Sequence, residues 1–328
     1  MKDRIEWIDF IKGYLIISVV FLHICNGYDK YHLLLKIITC FHMFMFFSIT
    51  GFLTDFEKAN FKNLISKKFK SLLIPYIIWG GIIAIPFEIL KRIIQNETIS
   101  ITLLIKNFLT FYNTFSPTWF LSTLFLVILL EFLINKFFKN NYSIIIINIL
   151  FLIIGLCIPV RLNAICRLKT TLVACFFFEL GYIINKRKFY CCKTFYGIIM
   201  FIIGILFCIP NKQVVASDAI YGNPIYFTIS TMLIIIGLYI ISSKINKIPK
   251  LISIFGKNSI IVLCIHPMII YSIRIIEKIL KLATHTIPIL ICFIYTIIFL
   301  YIAILFCKKY LMYTFGINKS SWRKETIR

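Results

Sequence analysis

Apolar runs of about 17 to 22 residues recur along this chain, which is the length a helix needs to cross the hydrocarbon core of a bilayer. Loops rich in Lys, Asn, Pro or Ser separate these runs. The pattern predicts an all-α, polytopic integral membrane helix bundle with about ten transmembrane helices. Residues 93–115 could add a re-entrant or interfacial helix. The predicted spans are residues 10–26, 37–54, 72–90, 118–134, 143–160, 172–184, 195–209, 225–241, 259–276 and 287–306.

The composition agrees with a membrane protein. Hydrophobic residues make up 60% of the 328 positions and charged residues 15%, whereas about a quarter of the residues in soluble domains are charged. The mean hydropathy is +0.92. The formal net charge is +23, but the basic residues fall between apolar runs instead of forming one basic face. This distribution argues against a nucleic-acid partner.

The basic residues also predict the orientation. About two-thirds of the 36 Lys and Arg residues lie in loops on the same side as the N-terminus, so the positive-inside rule places both termini in the cytosol. Lys2 and Arg4 precede the first apolar run, which lacks a small-residue cleavage site and therefore predicts a retained signal anchor. We expect one transmembrane domain over residues 1–328, with a helical core at about 8–307 and a short basic cytosolic tail at 308–328.

The eleven cysteines are scattered without CxxC pairs or metal-ligand spacing. We interpret them as small apolar side chains. The sequence therefore predicts neither a disulfide framework nor a metal site.

Asp9, Lys12 and His23 share one stripe of the first predicted helix. The step from Lys12 to His23 ends about 20° past three full turns and about 16 Å along the axis. Ionisable groups at two depths of a membrane helix are costly unless they face protein or a water-filled cavity. The stripe therefore predicts a lined cavity in which chemistry takes place.

Five segments, in order along the chain, resemble motifs of one family. The opening from Arg4 to Gly13, with ten residues between Lys12 and His23, resembles the start of the acyltransferase 3 family of membrane acyltransferases. Residues 41–53 (FHMFMFFSITGFL) resemble its second-helix signature, and residues 67–76 (KKFKSLLIPY) resemble its basic loop before an LLxPY third-helix start. Residues 118–125 (TWFLSTLF) resemble its fourth-helix WFL motif, and residues 255–267 (FGKNSIIVLCIHP) resemble its penultimate helix.

The resemblance implies a ten-helix fold that transfers acyl groups, usually acetyl from acetyl-CoA in the cytosol, to hydroxyls of surface carbohydrate or lipid-linked sugar. It implies that His23 is essential, that acetyl-CoA is the co-substrate, and that the carbohydrate acceptor and membrane lipids are the other partners. Lys67, Lys68 and Lys70 stand where relatives usually carry Arg, whose fork suits phosphate better. The many Ile, Lys and Asn residues are typical of an AT-rich bacterial genome, so we expect the bacterial cytoplasmic membrane.

The predicted catalytic residues are His23, Asp9 and Glu179. A neutral imidazole can accept a hydroxyl proton near neutral pH, or carry the acyl group covalently. The alternative for His23 is an interfacial histidine bonded to a neighbouring carbonyl. Glu179 stands alone in an apolar run, so it either pairs with a basic residue or lines a wet cavity.

The predicted donor-binding residues are Lys12, Lys67, Lys68 and Lys70, which would hold the phosphates of the acyl-CoA. For Lys12 the alternative is an anchor that snorkels to the headgroups. For the other three it is a solvated loop beside anionic lipid.

The predicted acceptor-binding residues are His42, Trp119, Arg161 and His266. His42 could instead mark the outer interface, and Trp119 could belong to an interfacial aromatic belt rather than a sugar-stacking platform. Arg161 and Arg167 lie in a predicted outer loop, where they either orient an acceptor or are solvated. His266 precedes a proline within an apolar run and is either a packed core residue or lines a cavity.

A transporter or flippase of a lipid-linked glycan precursor is the alternative function. Such a protein would use the same polar stripe as a translocation path. The chain lacks the paired Gly/Pro-interrupted helices in matching halves that are typical of transporters.

Overall fold

The computed structural model describes residues 5–25, 31–56, 60–112, 116–279 and 287–316. Lys2, Arg4 and residues 317–328 of the predicted tail lie outside the described residues. In the described part of the chain the regular elements are helices, without β-strands, which confirms the all-α class. The α-helices are α1 (Glu6–Cys25), α2 (His32–Leu53), α3 (Phe61–Lys68), α4 (Ala84–Gln95), α5 (Ile101–Leu109), α6 (Trp119–Phe137), α7 (Asn141–Cys157), α8 (Leu168–Lys186), α9 (Thr194–Cys208), α10 (Pro224–Ser242), α11 (Lys250–Lys257), α12 (Ser259–Ile279) and α13 (Ile289–Tyr310).

Eight helices of the described residues are long and apolar enough to cross a membrane, when the continuous segment Phe61–Gln95 is taken as one helix. Two further apolar helices, α7 and α9, are shorter, with 17 and 15 residues. Each of the ten predicted spans overlaps one of these helices. The number of ten crossings and the cytosolic location of both termini stay predictions.

The third predicted span begins earlier than expected. The side chain of Asn60 accepts a hydrogen bond from the backbone N–H of Lys62, which is the bond of a helix N-cap. The helix therefore starts at Phe61 and not near residue 72. Pro75 lies inside it and lacks the N–H that an α-helical bond needs.

The backbone around this proline is π-helical, over Phe69–Leu73 and Tyr76–Ile83. Such wide turns relieve the clash that a proline ring makes with the preceding turn of an α-helix. The prediction that Lys67, Lys68 and Lys70 form a loop before the helix is wrong. Because of the Asn60 cap, all three lysines lie within helical turns.

Residues 93–115 contain α5, which agrees with the additional helix expected there. The Ser100 hydroxyl caps it by accepting the N–H of Leu103 at 3.3 Å. The Tyr76 hydroxyl donates to the carbonyl of Phe108 at 2.6 Å, and the two rings stack with centroids 5.0 Å apart. This contact fixes α5 to the π-helical segment.

The chain divides into two compact units. Unit 1 contains the described residues of Met1–Leu53, Leu180–Ala216 and Tyr221–Leu305, and unit 2 those of Thr54–Glu179, Ser217–Ile220 and Phe306–Arg328. The single transmembrane domain expected over residues 1–328 stays a prediction.

Candidate active site

α1 carries three of the predicted site residues, all in unit 1. Asp9 is buried, Lys12 is half-buried and His23 is exposed, in the last turn of the helix. The helix is continuous from Glu6 to Cys25, so Lys12 and His23 are separated by about 16 Å on one side of it. The helical spacing behind the predicted stripe is therefore confirmed, whereas the roles of these residues stay predictions.

A close crossing of α1 and α11 positions the Asp9 end of the stripe. A Cβ atom added to Gly256 would meet the carbonyl oxygen of Asp9, and one added to Gly13 would meet the carbonyl oxygen of Ile252. Glycine is required at both positions because any side chain would push the two backbones apart. The opening motif and the segment 255–267, far apart in sequence, thus meet in the structure.

The other end of the stripe faces a second imidazole. His266 on α12 is 0% exposed, and its ring centroid is 5.0 Å from that of His23, with the planes 46° apart. Because Pro267 has no N–H, the carbonyl of Leu263 lacks its usual helical donor. The Nδ1 atom of His266 lies 2.8 Å from the carbonyl oxygen of Val262.

This contact defines the tautomer of His266. A carbonyl oxygen only accepts hydrogen bonds, so Nδ1 carries the proton and Nε2 carries the lone pair. Nε2 is buried and has no hydrogen-bond partner among the described residues. The structure therefore places a buried, open acceptor beside His23.

His42 is a third imidazole in unit 1. It is buried on α2, and its Nδ1 lies 2.9 Å from the carbonyl oxygen of Ile38, which assigns the same tautomer. The structure thus places the rings of His23 and His266, which come from separate helices, next to each other. It places His42 on a third helix of the same unit.

The donor lysines of unit 2 lie on a polar stretch of helix. α3 buries none of its residues, and Lys67 and Lys70 are exposed while Lys68 is half-buried. The three side chains fall within four consecutive positions, so their positive charges are concentrated. An anionic ligand at the surface of unit 2 would be attracted to them.

The two arginines of the predicted outer loop have different surroundings in unit 2. Arg161 is exposed in the 3₁₀-helical turn Val160–Ala164, whereas Arg167 is 0% exposed. The Nε atom of Arg167 donates to the carbonyl of Phe111 at 3.0 Å, and Nη1 donates to that of Ser217 at 2.6 Å. Sequence reasoning favoured Arg161, because the partners of Arg167 are backbone carbonyls that no motif reveals.

Trp119 lies against this buried arginine. The guanidinium carbon of Arg167 is 4.7 Å from the centroid of the indole ring, within the range of a cation–π contact. Trp119 is 6% exposed. Its burial favours a role inside unit 2 over a place in an interfacial aromatic belt.

Glu179 is buried in unit 2 near a second acid. Glu131 on α6 interacts electrostatically with Glu179 and accepts a hydrogen bond from the Asn148 amide at 3.4 Å. Asn148 belongs to none of the sequence motifs, although an Asn within the isoleucine-rich run of α7 was an available signal. These side chains form a buried polar cluster, in which Glu131 and Asn148 each keep one oxygen without a partner in the described residues.

The predicted site residues are thus distributed over both units. Unit 1 contains Asp9, Lys12, His23, His42 and His266, and unit 2 contains Lys67, Lys68, Lys70, Trp119, Arg161 and Glu179. Across the described ranges, no three His, Cys, Asp or Glu side chains are grouped so that they could hold a metal ion.

Comparison with known proteins agrees with the motifs. Neither the curated proteins nor the solved structures gave a match to this chain. A family model described as an acyltransferase domain matches residues 5–308, nearly the full length. Together with the eight long apolar helices, this match shows a multi-pass membrane protein. The chain belongs to the acyltransferase 3 family and is a membrane acyltransferase.

Proposed function

We propose that the protein transfers an acetyl or other short acyl group from cytosolic acyl-CoA to a hydroxyl of a cell-surface or lipid-linked carbohydrate. It does so in a bacterial cytoplasmic membrane, through ten helices with both termini in the cytosol. The observation that carries this proposal is the exposed imidazole of His23, 5.0 Å from the ring of buried His266. An exposed base supported by a second imidazole suits the activation of a hydroxyl.

His23 is the proposed base or acyl carrier. As a base, its imidazole takes the hydroxyl proton while the oxygen attacks the thioester carbonyl. The C–S bond then breaks and the CoA thiolate takes the proton back. As a carrier, His23 accepts the acyl group first and passes it to the hydroxyl in a second step. Asp9 and Glu179 are the other proposed catalytic residues.

The proposed donor is acetyl-CoA. Lys12 is about 16 Å from His23 along α1, a distance of the same order as the extended pantetheine arm. A phosphate held at Lys12 would therefore let the thioester reach the imidazole. Lys67, Lys68 and Lys70 are proposed as a basic patch of unit 2 that attracts the anionic acyl-CoA, since lysine binds phosphate as a point charge.

The proposed acceptor residues are His42, Trp119, Arg161 and His266. Aromatic and imidazole side chains offer the apolar surfaces and hydrogen-bond acceptors that a sugar requires. The acceptor is identified by comparing the surface glycan of a deletion strain with that of the wild type. The glycan that loses the mass of one acetyl group in the deletion strain is the acceptor.

The test is a transfer assay with purified protein, radiolabelled acetyl-CoA and an extract of cell-envelope glycan. We expect label in the glycan with the wild type, and at least about 100-fold less with His23→Ala, because a general base contributes about that much. His32→Ala is the matched control, since His32 is an exposed histidine at the start of α2. Equal labelling by wild type and His23→Ala would contradict the proposal.

A further inference from the structure

We infer that His266 is a positioning residue for the transfer: its Nε2 atom accepts the N–H of His23 and so directs the other nitrogen of His23 to the acceptor hydroxyl. This inference rests on the proposed function and adds a partner for its base. It follows from three observations, namely the tautomer of His266, the burial of its open nitrogen and the distance between the two rings.

The tautomer of His266 is set by its own helix. Nδ1 donates to the carbonyl oxygen of Val262, in the same helix, at 2.8 Å. Nδ1 therefore stays the protonated nitrogen. The lone pair stays on Nε2, so this atom can only accept a hydrogen bond.

Nε2 of His266 needs a donor. The residue is 0% exposed, and Nε2 has no partner among the described side chains and backbone groups. A buried acceptor without a donor costs about 1–3 kcal/mol. A protein retains such a group when another molecule or a movable side chain supplies the missing bond.

His23 is the side chain placed to supply it. Its ring centroid is 5.0 Å from that of His266, which leaves about one hydrogen-bond length between facing ring edges. Because the side chain of His23 is exposed, its ring can turn about the Cβ–Cγ bond, a torsion with a broad energy minimum. That rotation points one N–H of His23 at Nε2.

The bond matters most during transfer. When the free nitrogen of His23 takes the hydroxyl proton, the ring becomes an imidazolium, and its bond to Nε2 becomes charge-assisted. The hydroxyl oxygen meanwhile forms the new C–O bond, the C–S bond breaks, and the thiolate regains the proton from His23. His266 keeps both of its hydrogen bonds throughout, so its part in acceptor binding is to hold the ring of His23 toward the acceptor hydroxyl.

Three variants of His266 separate positioning from packing. Asn places an amide near the position of Nδ1 but offers no acceptor at the position of Nε2. Gln reaches the position of Nε2 with its amide oxygen, and Leu offers no acceptor at all. The turnover number kcat and the KM for acetyl-CoA are measured in the transfer assay, with His32→Asn as the histidine control.

We expect His266→Asn and His266→Leu to lower kcat about 10-fold to 100-fold with the KM for acetyl-CoA within about twofold, because the bond acts in the transition state. We expect His266→Gln to keep kcat within about fivefold of the wild type. A kcat within about twofold of the wild type for both Asn and Leu overturns the inference.

Folding is checked by size-exclusion chromatography. If neither Asn nor Leu gives a monodisperse protein, the Gln variant decides: turnover near that of the wild type supports an acceptor at this position, and a loss as large as that of His23→Ala overturns it. The result for His23→Ala tests the proposed function separately. If His23→Ala transfers acetyl normally, the proposed function fails as well. If His23→Ala is inactive while His266→Asn and His266→Leu are as active as the wild type, only the positioning role of His266 is removed.

Discussion

His266 of unit 1 and Arg167 of unit 2 are both fully buried, but their polar atoms have opposite surroundings. In unit 1, His266 bonds one ring nitrogen to its own helix and keeps the other open beside the exposed His23. In unit 2, Arg167 is equally buried, but its guanidinium donates to two carbonyls and lies over Trp119. Rules of polar satisfaction are broken mainly at functional sites. The comparison therefore favours the proposed reaction at the histidines and a structural role for the buried arginine.

The largest expected effect comes from disrupting the close crossing of α1 and α11, which positions the stripe of Asp9, Lys12 and His23. A Leu at Gly256 would push its Cβ against the carbonyl of Asp9, so α1 and α11 could not pack. We expect Gly256→Leu to destabilise the protein by about 3 kcal/mol or more, as overpacking between backbones does. Size-exclusion yield measures the effect, with Lys250→Leu at an exposed position of α11 as control. A normal yield of Gly256→Leu would mean that the crossing is not tight.

The second prediction tests the support role in unit 2. Arg167→Met removes two hydrogen bonds to carbonyls and the contact with Trp119. We expect a loss of about 3 kcal/mol, since two buried acceptors lose their donors. Thermal unfolding measures it, and Arg161→Met, an exposed position, should change stability by less than about 0.5 kcal/mol. Similar melting temperatures of the two variants would remove the contrast between Arg167 and Arg161.

The third prediction concerns the acids of unit 2. Glu131→Gln removes an ionisable group beside Glu179 and keeps a side-chain oxygen to which the Asn148 amide can donate. We expect stability to rise or stay within about 1 kcal/mol, because neutral replacements of buried charges are often harmless. Glu131→Ala, which leaves a cavity, should destabilise. A strong loss with Gln would instead show that the carboxyl group itself is required.

The smallest expected effect concerns the basic patch. Lys70→Gln removes one exposed positive charge, so we expect the KM for acetyl-CoA to rise about threefold with kcat unchanged, and less so at high salt. Lys136→Gln is the control, because Lys136 is an exposed lysine of unit 2 in a different helix. An equal rise in the KM for both variants would mean that the three lysines contribute only as general surface charge and not as a binding patch.

Sequence patterns predicted the features that depend on helical periodicity. Lys12 and His23 share a continuous helix because the apolar run around them has no breaker, and this spacing was readable in advance. The early start of the third span was missed, although Asn60 offered an N-cap signal. The N-cap at Asn60 starts a helix in a polar segment that was predicted to be a loop at Lys67.

Features that depend on tertiary contact were not readable. Nothing in the sequence tells Arg167 from Arg161, because burial is set by carbonyls of distant segments. The neighbourhood of His23 and His266 likewise arises from packing between α1 and α12. The proline after His266 was visible, but the tautomer of His266 follows from the hydrogen bond to Val262, which only the structure shows.

The most direct test of the account uses one preparation to compare transfer with transport. Proteoliposomes that contain the wild type or His23→Ala receive radiolabelled acetyl-CoA and a lipid-linked glycan, and both acetylation and movement of the glycan lipid are followed. The account predicts acetylation by the wild type, its loss in His23→Ala, and the same movement of glycan lipid in both. Acetylation that survives the substitution, with glycan movement abolished, would contradict it and support a transporter.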